Sequence, residues 1–170
     1  MWGKFLPDVM SNILYIIIHN IRSAHNVGAI FRTADGSGVE KIFLTGYTPE
    51  PFNKKNNIYP TNAQKMIEKT ALGAERFIKY EKIENLSNLI KKLKKLKFNI
   101  IAMEQDKKSI DYKKFKTKFP CALILGNEVD GIEGKILKQC DHIISIPMRG
   151  QKESLNVSVA AGIAIYEILK

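Results

Sequence analysis

The sequence predicts a single α/β domain built on a mostly parallel sheet flanked by helices. Three observations carry that prediction. Short apolar runs of strand length recur along the chain, stretches of helical spacing alternate with them, and strand-to-strand connections are long enough to be crossovers. With 170 residues, 45% of them hydrophobic and 26% charged, the chain fits one domain, 1–170, with a sizeable core.

The first unit is the clearest. LYIII at 14–18 and KIFLT at 41–45 are strand-sized runs. Between them Val27, Ile30, Phe31 and Ala34 share one helical face, with Asn26 as the predicted N-cap and Gly36 and Gly38 suited to the C-terminal end. Residues 46–62 read as a loop, punctuated by Gly46, Pro49, Pro51, Asn53, Asn56, Asn57 and Pro60. A short helix is expected over 62–70 and a strand-like piece at Phe77–Ile78. The segment 85–97 is amphipathic: Leu86, Leu89, Ile90, Leu93 and Leu96 oppose a face of five lysines. FNIIAME at 98–104 is the next strand, followed by a lysine-rich stretch, 107–118. CALIL at 121–125 reads as a buried strand, a short helix is expected over 133–140, and HIISI at 142–146 is a further strand. The last helix is expected from Ser154 to about Leu169. About five strands alternate with helices, without repeat or linker.

Composition excludes several classes. No apolar run approaches the roughly 20 residues of a membrane span, and the start of the chain shows no secretory signal, so a cytoplasmic protein is expected. Cys121 and Cys140 have no companions at metal-ligand spacing and form no disulfide framework; both read as reduced structural residues, and no metal site is expected. Twenty-seven Lys and Arg against 17 Asp and Glu give a net charge of +10. That excess suits a polyanionic partner, since neutralised phosphates release counterions; a lysine-rich surface that only binds water is the other reading.

Three polar loops follow strand ends: 19–26, 126–132 and 147–156. In a parallel sheet, ligands bind beyond the carboxyl ends of the strands, so these loops are the candidate site. Arg32 is either a surface helix arginine paired with a carboxylate or a fixed donor for a phosphate or hydroxyl. Asn127 and Glu128 stand just past a strand end, where Gly126 allows close backbone approach and Gly131 suits a turn; an ordinary β–α turn is the alternative. Ser154, Asn156 and Ser158 cluster at a helix start, where one of them caps the helix and free N–H groups can meet a ligand. The segment GNEVDG lacks the Lys and Ser/Thr of a P-loop, no G-x-G-x-x-G follows the first strand, and no G-x-S-x-G surrounds Ser154. Nucleoside triphosphate, dinucleotide and serine-hydrolase sites are thereby set aside. His19 and His25 read as strand-end and loop residues.

Together, NIRSAHNVGAIFRTADGSGVEKIFLTG, ALILGNEVDGI and IPMRGQKESLNVSVAAGIAIYE resemble, in order and separation, the three motifs of the SpoU/TrmH-type RNA 2′-O-ribose methyltransferases of the SPOUT class. The resemblance covers the chain from about Leu14, and SLNVSVA after IPM-x-G is its most specific part. It implies a C-terminal deep trefoil knot, S-adenosylmethionine as methyl donor without a metal, and a homodimer acting on RNA, with transfer RNA favoured and ribosomal RNA as the alternative. A catalytically inactive RNA-binding or assembly factor is the non-enzymatic alternative. Asn26 and Arg32 match the motif-one asparagine and the arginine that assists ribose deprotonation, Glu128 the motif-two glutamate, and Ser154 and Asn156 the motif-three pair. Cofactor contacts are implied at Leu125, Gly126, Asn127, Ile146, Pro147, Met148, Ser154 and Leu155, with Met103 a looser match. Arg32, Lys91, Lys95 and Arg149 are the candidate RNA contacts. Residues 1–13 are expected to be an N-terminal extension without the accessory RNA-binding domain of many relatives.

Overall fold

The computed structural model describes residues 12–53 and 58–170. Most of the expected N-terminal extension, and residues 54–57 of the expected loop, lie outside the described residues.

The elements in chain order are β1 (Leu14–His19), α1 (Ala24–Ser37), β2 (Lys41–Thr45), α2 (Asn62–Ala71), a 3₁₀ turn (Ala74–Arg76), β3 (Lys79–Ile83), α3 (Leu86–Lys95), β4 (Asn99–Met103), β5 (Ile110–Asp111), β6 (Cys121–Leu125), α4 (Gly134–Leu137), β7 (His142–Ser145) and α5 (Val157–Ile168). Among the described residues seven strands, all paired in parallel, form one sheet in the order β3-β2-β1-β6-β4-β7-β5. The architecture is the expected parallel sheet flanked by helices.

The strands at the centre are the most apolar. Every residue of β6 is buried, because β1 and β4 flank it and helices cover both faces. Ile16, Ile18, Leu123 and Leu125 face α1, α2 and α5, whereas Ile17, Ala122 and Ile124 face α3 and α4. This alternation is the period-2 geometry of a strand. Each fully buried Leu or Ile contributes about 1.5–3 kcal/mol, so β6 is held chiefly by hydrophobic burial.

Several boundaries differ from the expectation. The N-cap of α1 is Ser23, whose Oγ accepts the Asn26 N–H at 3.3 Å; Asn26 lies inside the helix, and its side chain is free to reach outward. The strand expected at Phe77–Ile78 is β3, two residues later; Phe77 closes the 3₁₀ turn and is exposed. The sheet also gains β5, two residues within the lysine-rich stretch and too short for any periodicity to reveal. The final helix starts at Val157, with Asn156 as its N-cap, so Ser154 remains in the loop. The helix expected over 133–140 shortens to α4, one turn of α-helix.

Candidate active site

Strand register explains why the three polar loops meet. Ile18 pairs with Leu125, Leu125 with Met103, and Met103 with Ile144, which aligns four strand ends along one sheet edge. The residues that follow each strand emerge side by side there. The reversal of strand order between β1 and β6 falls at this edge, where an open parallel sheet offers a crevice.

A cleft of about 250 Å³ occupies the position. Its floor is Met103 and Leu125 at the ends of β4 and β6. Gly126, Asn127 and Glu128 form one wall; Ile146, Ser154 and Leu155 form another. The expected contacts Pro147 and Met148 do not line it. Glu104, Gln105 and Glu153 do line it, and sequence reasoning missed them. The first two had a usable signal, because AMEQ is another polar segment directly after an apolar run. The strand was expected to include Glu104, but it ends at Met103.

The loop 126–132 is held on both sides. Glu104 Oε2 accepts the Ile132 N–H at 2.7 Å, and its Oε1 accepts the Gln105 N–H at 2.9 Å. Asn127 Oδ1 accepts the N–H groups of Val129 and Asp130 at 2.7 and 2.9 Å, closing a side-chain turn. Its amide donates to the Asn20 carbonyl at 2.8 Å and to the Tyr47 hydroxyl at 2.7 Å, tying this loop to those after β1 and β2. Gly131 takes the left-handed conformation (φ +65°), which favours glycine. At Gly126 a Cβ would lie 2.8–2.9 Å from the Gly131 carbonyl group, so only glycine permits this close return of the chain.

A hydrogen-bonded chain joins all three loops. Asn26 Nδ2 donates to Glu128 Oε1 at 3.1 Å, and Asn156 Nδ2 donates to Asn26 Oδ1 at 3.1 Å. The Ser23 N–H also donates to Glu128 Oε1, at 3.4 Å. Asn156 Oδ1 in turn accepts from the Ser158 N–H and hydroxyl, fixing the start of α5. Three of the five expected catalytic residues therefore form one connected unit. Ser154 lines the cleft beside them.

Arg32 stands apart. Six residues after Asn26 on a helix of 100° per residue, it projects about 120° round from Asn26. It is exposed, makes no hydrogen bond or ion pair among the described residues, and does not line the cleft. Lys91 and Lys95 lie on α3, across the sheet from α1 and α5. Their neighbour Lys94 is engaged with Asp141 at 2.8 Å, whereas Arg149 is exposed in the loop after β7.

Electrostatics narrow the ligand. Among the described residues the lining includes three carboxylates, Glu104, Glu128 and Glu153, and no lysine, arginine or histidine, next to the apolar groups of Met103, Leu125, Ile146 and Leu155. A phosphate would meet unfavourable charge there. A ligand combining a positive centre with apolar and hydrogen-bonding parts fits, as does the sulfonium of S-adenosylmethionine. Below the site His19 is buried at the end of β1, its Nδ1 at 2.8 Å from Thr45 Oγ1 and its Nε2 at 3.1 Å from the Asn20 amide. Burial lowers its pKa, and a neutral imidazole that donates to threonine and accepts from the amide satisfies both contacts.

The profile of the SpoU rRNA Methylase family matches residues 13–166. The chain is 33% identical over 154 residues to the tRNA (guanosine(18)-2′-O)-methyltransferase of Aquifex aeolicus (strain VF5), covering 91% of this chain and 67% of that protein. It is 30% identical over 168 residues to the 23S rRNA (guanosine-2′-O-)-methyltransferase RlmB of Pectobacterium atrosepticum, covering 97% of this chain and 64% of that one. The crystal structure of an AdoMet-bound rRNA methyltransferase from Sinorhizobium meliloti is similar in fold, with a TM-score of 0.81, 25% identity, and coverage of 93% of this chain and 56% of that one. The chain thus spans roughly three-fifths of the length of these proteins. With the profile match extending from the first strand into the last helix, the chain belongs to the SpoU rRNA methylase family.

Proposed function

We propose that this protein transfers a methyl group from S-adenosylmethionine to a ribose 2′-hydroxyl of RNA, with transfer RNA the favoured substrate and ribosomal RNA the alternative. The observation that carries the reading is the Glu128–Asn26–Asn156 chain, which locks three loops around a carboxylate-rich, partly apolar cleft. Named relatives act on both RNA classes.

S-adenosylmethionine, when bound, supplies an electrophilic methyl group. The protein supplies position. Leu125, Ile146 and Leu155 provide apolar contact, with Met103 beneath, and Gly126, Asn127 and Ser154 offer polar groups at the wall. Asn26, Glu128 and Asn156 hold the loops at fixed separation, which matters because transfer needs in-line geometry. Arg32 remains protonated at any working pH, so it orients the hydroxyl and stabilises developing negative charge on the 2′-oxygen instead of removing the proton as a base.

Because Arg32 does not line the cleft of its own chain, that role carries a homodimer with it: a second copy placing α1 beside the cleft gives the arginine a route. The sequence of α5 is apolar nearly all round, yet Val159 and Tyr166 are exposed, as expected of a helix that another surface covers. Val159→Lys is expected to yield monomers in sedimentation velocity; an unchanged sedimentation coefficient, or a monomeric parent protein, would remove this part. The segment after β6 is proposed to thread as a deep trefoil knot, supported by the insertion of β6 between β1 and β4. An experimental trace with an unthreaded C-terminus would exclude it. No described helix is long and apolar enough to cross a membrane, in keeping with the proposed cytoplasmic location.

The central test is transfer from methyl-labelled S-adenosylmethionine to unmodified tRNA and rRNA, followed by mapping of alkali-resistant linkages. A single resistant linkage in one RNA is expected. Binding of the donor without incorporation into either RNA would overturn the reading and leave the non-catalytic RNA-binding alternative.

A further inference from the structure

Beside the cleft, outside the residues that line it, Arg22 stands next to Tyr47, whose ring has no part in the cleft itself. Arg22 Cζ lies 5.3 Å from the centre of the Tyr47 ring. Arg22 is exposed and has no hydrogen bond or ion pair among the described residues; Tyr47 is 49% exposed. An exposed cation over a tyrosine gains only about 0.5–1 kcal/mol, too little by itself to hold two mobile side chains in place.

The backbone does the holding. The Ile21 N–H donates to Thr48 Oγ1 at 3.2 Å, and the Ser23 N–H donates to Glu128 Oε1, so Arg22 is anchored on both sides. The Tyr47 N–H donates to Asn20 Oδ1 at 3.2 Å, and its hydroxyl accepts from the Asn127 amide at 2.7 Å. Lys82, reaching from β3, donates to the carbonyls of Gly46 and Thr48 on either side of Tyr47; burial lowers its pKa. Tyr47 thus has both flanking peptides and its hydroxyl tied down. Two of these ties run to Asn127 and Glu128, both in the cleft wall, so the pair keeps a fixed distance from the reacting centre.

We propose that Arg22 and Tyr47 form a stacking subsite for a nucleobase of the RNA substrate, next to the ribose that enters the cleft. The proposal rests on the RNA-directed reading above and adds a specific point of contact to it. A planar guanidinium and a phenol ring both stack on the flat face of a base, and a base–aromatic stack contributes about 1–3 kcal/mol in alanine-substitution experiments. Arg22 has no carboxylate partner among the described residues, so its charge is available to a base attached to a phosphate backbone.

The test measures RNA binding directly, so that it does not depend on turnover. Fluorescence anisotropy with a pool of unmodified tRNA transcripts is compared across the parent protein, Tyr47→Leu, Tyr47→Phe, Arg22→Gln and the control Tyr59→Leu, an exposed aromatic elsewhere. Tyr47→Leu is expected to weaken binding about tenfold, corresponding to about 1.4 kcal/mol. Tyr47→Phe restores most of the loss because it keeps the ring while losing the bond to Asn127. Arg22→Gln weakens RNA binding while its calorimetric S-adenosylmethionine affinity stays within twofold, and Tyr59→Leu changes neither. If Tyr47→Leu lowers Tm but leaves RNA affinity within twofold, the pair is a structural brace and the subsite is refuted, with methyl transfer untouched. If RNA binding depends on the Tyr47 ring but no methyl group is transferred, the subsite stands and the catalytic reading falls. A parent protein that binds neither this pool nor rRNA transcripts overturns both.

Discussion

Asn26→Ala should separate a connected unit, on which the proposed methyl transfer depends, from three independent loops. The substitution deletes the bond from Asn26 Nδ2 to Glu128 and the bond from Asn156 to Asn26 Oδ1, both 3.1 Å. A hydrogen bond to a charged group contributes about 1.5–3 kcal/mol and a neutral one about 1 kcal/mol; water reaches both atoms here, so a combined loss of about 2 kcal/mol is expected. Expressed fully in the transition state, that lowers kcat/KM for methyl transfer about 30-fold. Expressed in stability, it lowers Tm by about 4–8 °C for a domain of this size. The assay pairs initial rates on RNA with thermal unfolding and adds Asn156→Ala to complete a double-mutant cycle. Because the two residues share a bond, the double variant should lose less than the sum of the singles, by about 0.5–1 kcal/mol. Additive losses, or an Asn26→Ala protein with kcat/KM within twofold of the parent, would refute the reasoning.

Other perturbations test the surrounding structure. Glu104→Ala leaves the Ile132 N–H without its carboxylate partner and should cost about 1–3 kcal/mol, read as a lower Tm and weaker calorimetric binding of S-adenosylmethionine; unchanged values for both would show that the loop is held elsewhere. His19 is buried with its pKa below the usual 6.5, so the unfolded chain takes up this proton first as pH falls. Its contribution is complete above pH 6.5 and is lost as pH falls from there towards the lowered folded value. The Tm of the parent protein should therefore drop more between pH 7 and pH 5 than that of His19→Gln; parallel curves would contradict this. Burial pushes the thiols of Cys121 and Cys140 up to about 12, so neither should react with a thiol reagent at pH 8 until the protein unfolds, and rapid native labelling would be the contrary result.

Much of the fold was legible because its signals are local. LYIII, KIFLT, NIIAM and CALIL are continuous apolar runs that suit strands buried on both faces, and the leucine spacing of 86–96 defines α3 without any reference to neighbours. The rule that ligands gather beyond strand ends located the three loops, and the motif resemblance selected residues within them. Boundaries were less legible where two polar residues competed for one cap. Ser23 and Asn26 are both good N-caps, and the choice of Ser23 leaves the Asn26 amide available to Glu128, 102 residues away.

Sequence alone determined the α/β class, the basic character, the buried strands and the loops that carry the polar groups, since each depends on residue type and short-range periodicity. Only tertiary structure decided the sheet order with β6 between β1 and β4, the register that aligns Ile18, Leu125, Met103 and Ile144, and hence which loops face one another. It also decided that Glu104 braces the cleft, that Arg32 does not line it, and that Arg22 and Tyr47 meet at its rim. Each depends on how residues far apart in the chain are placed relative to one another, which leaves no mark in periodicity because it is set by strand pairing across the whole sheet.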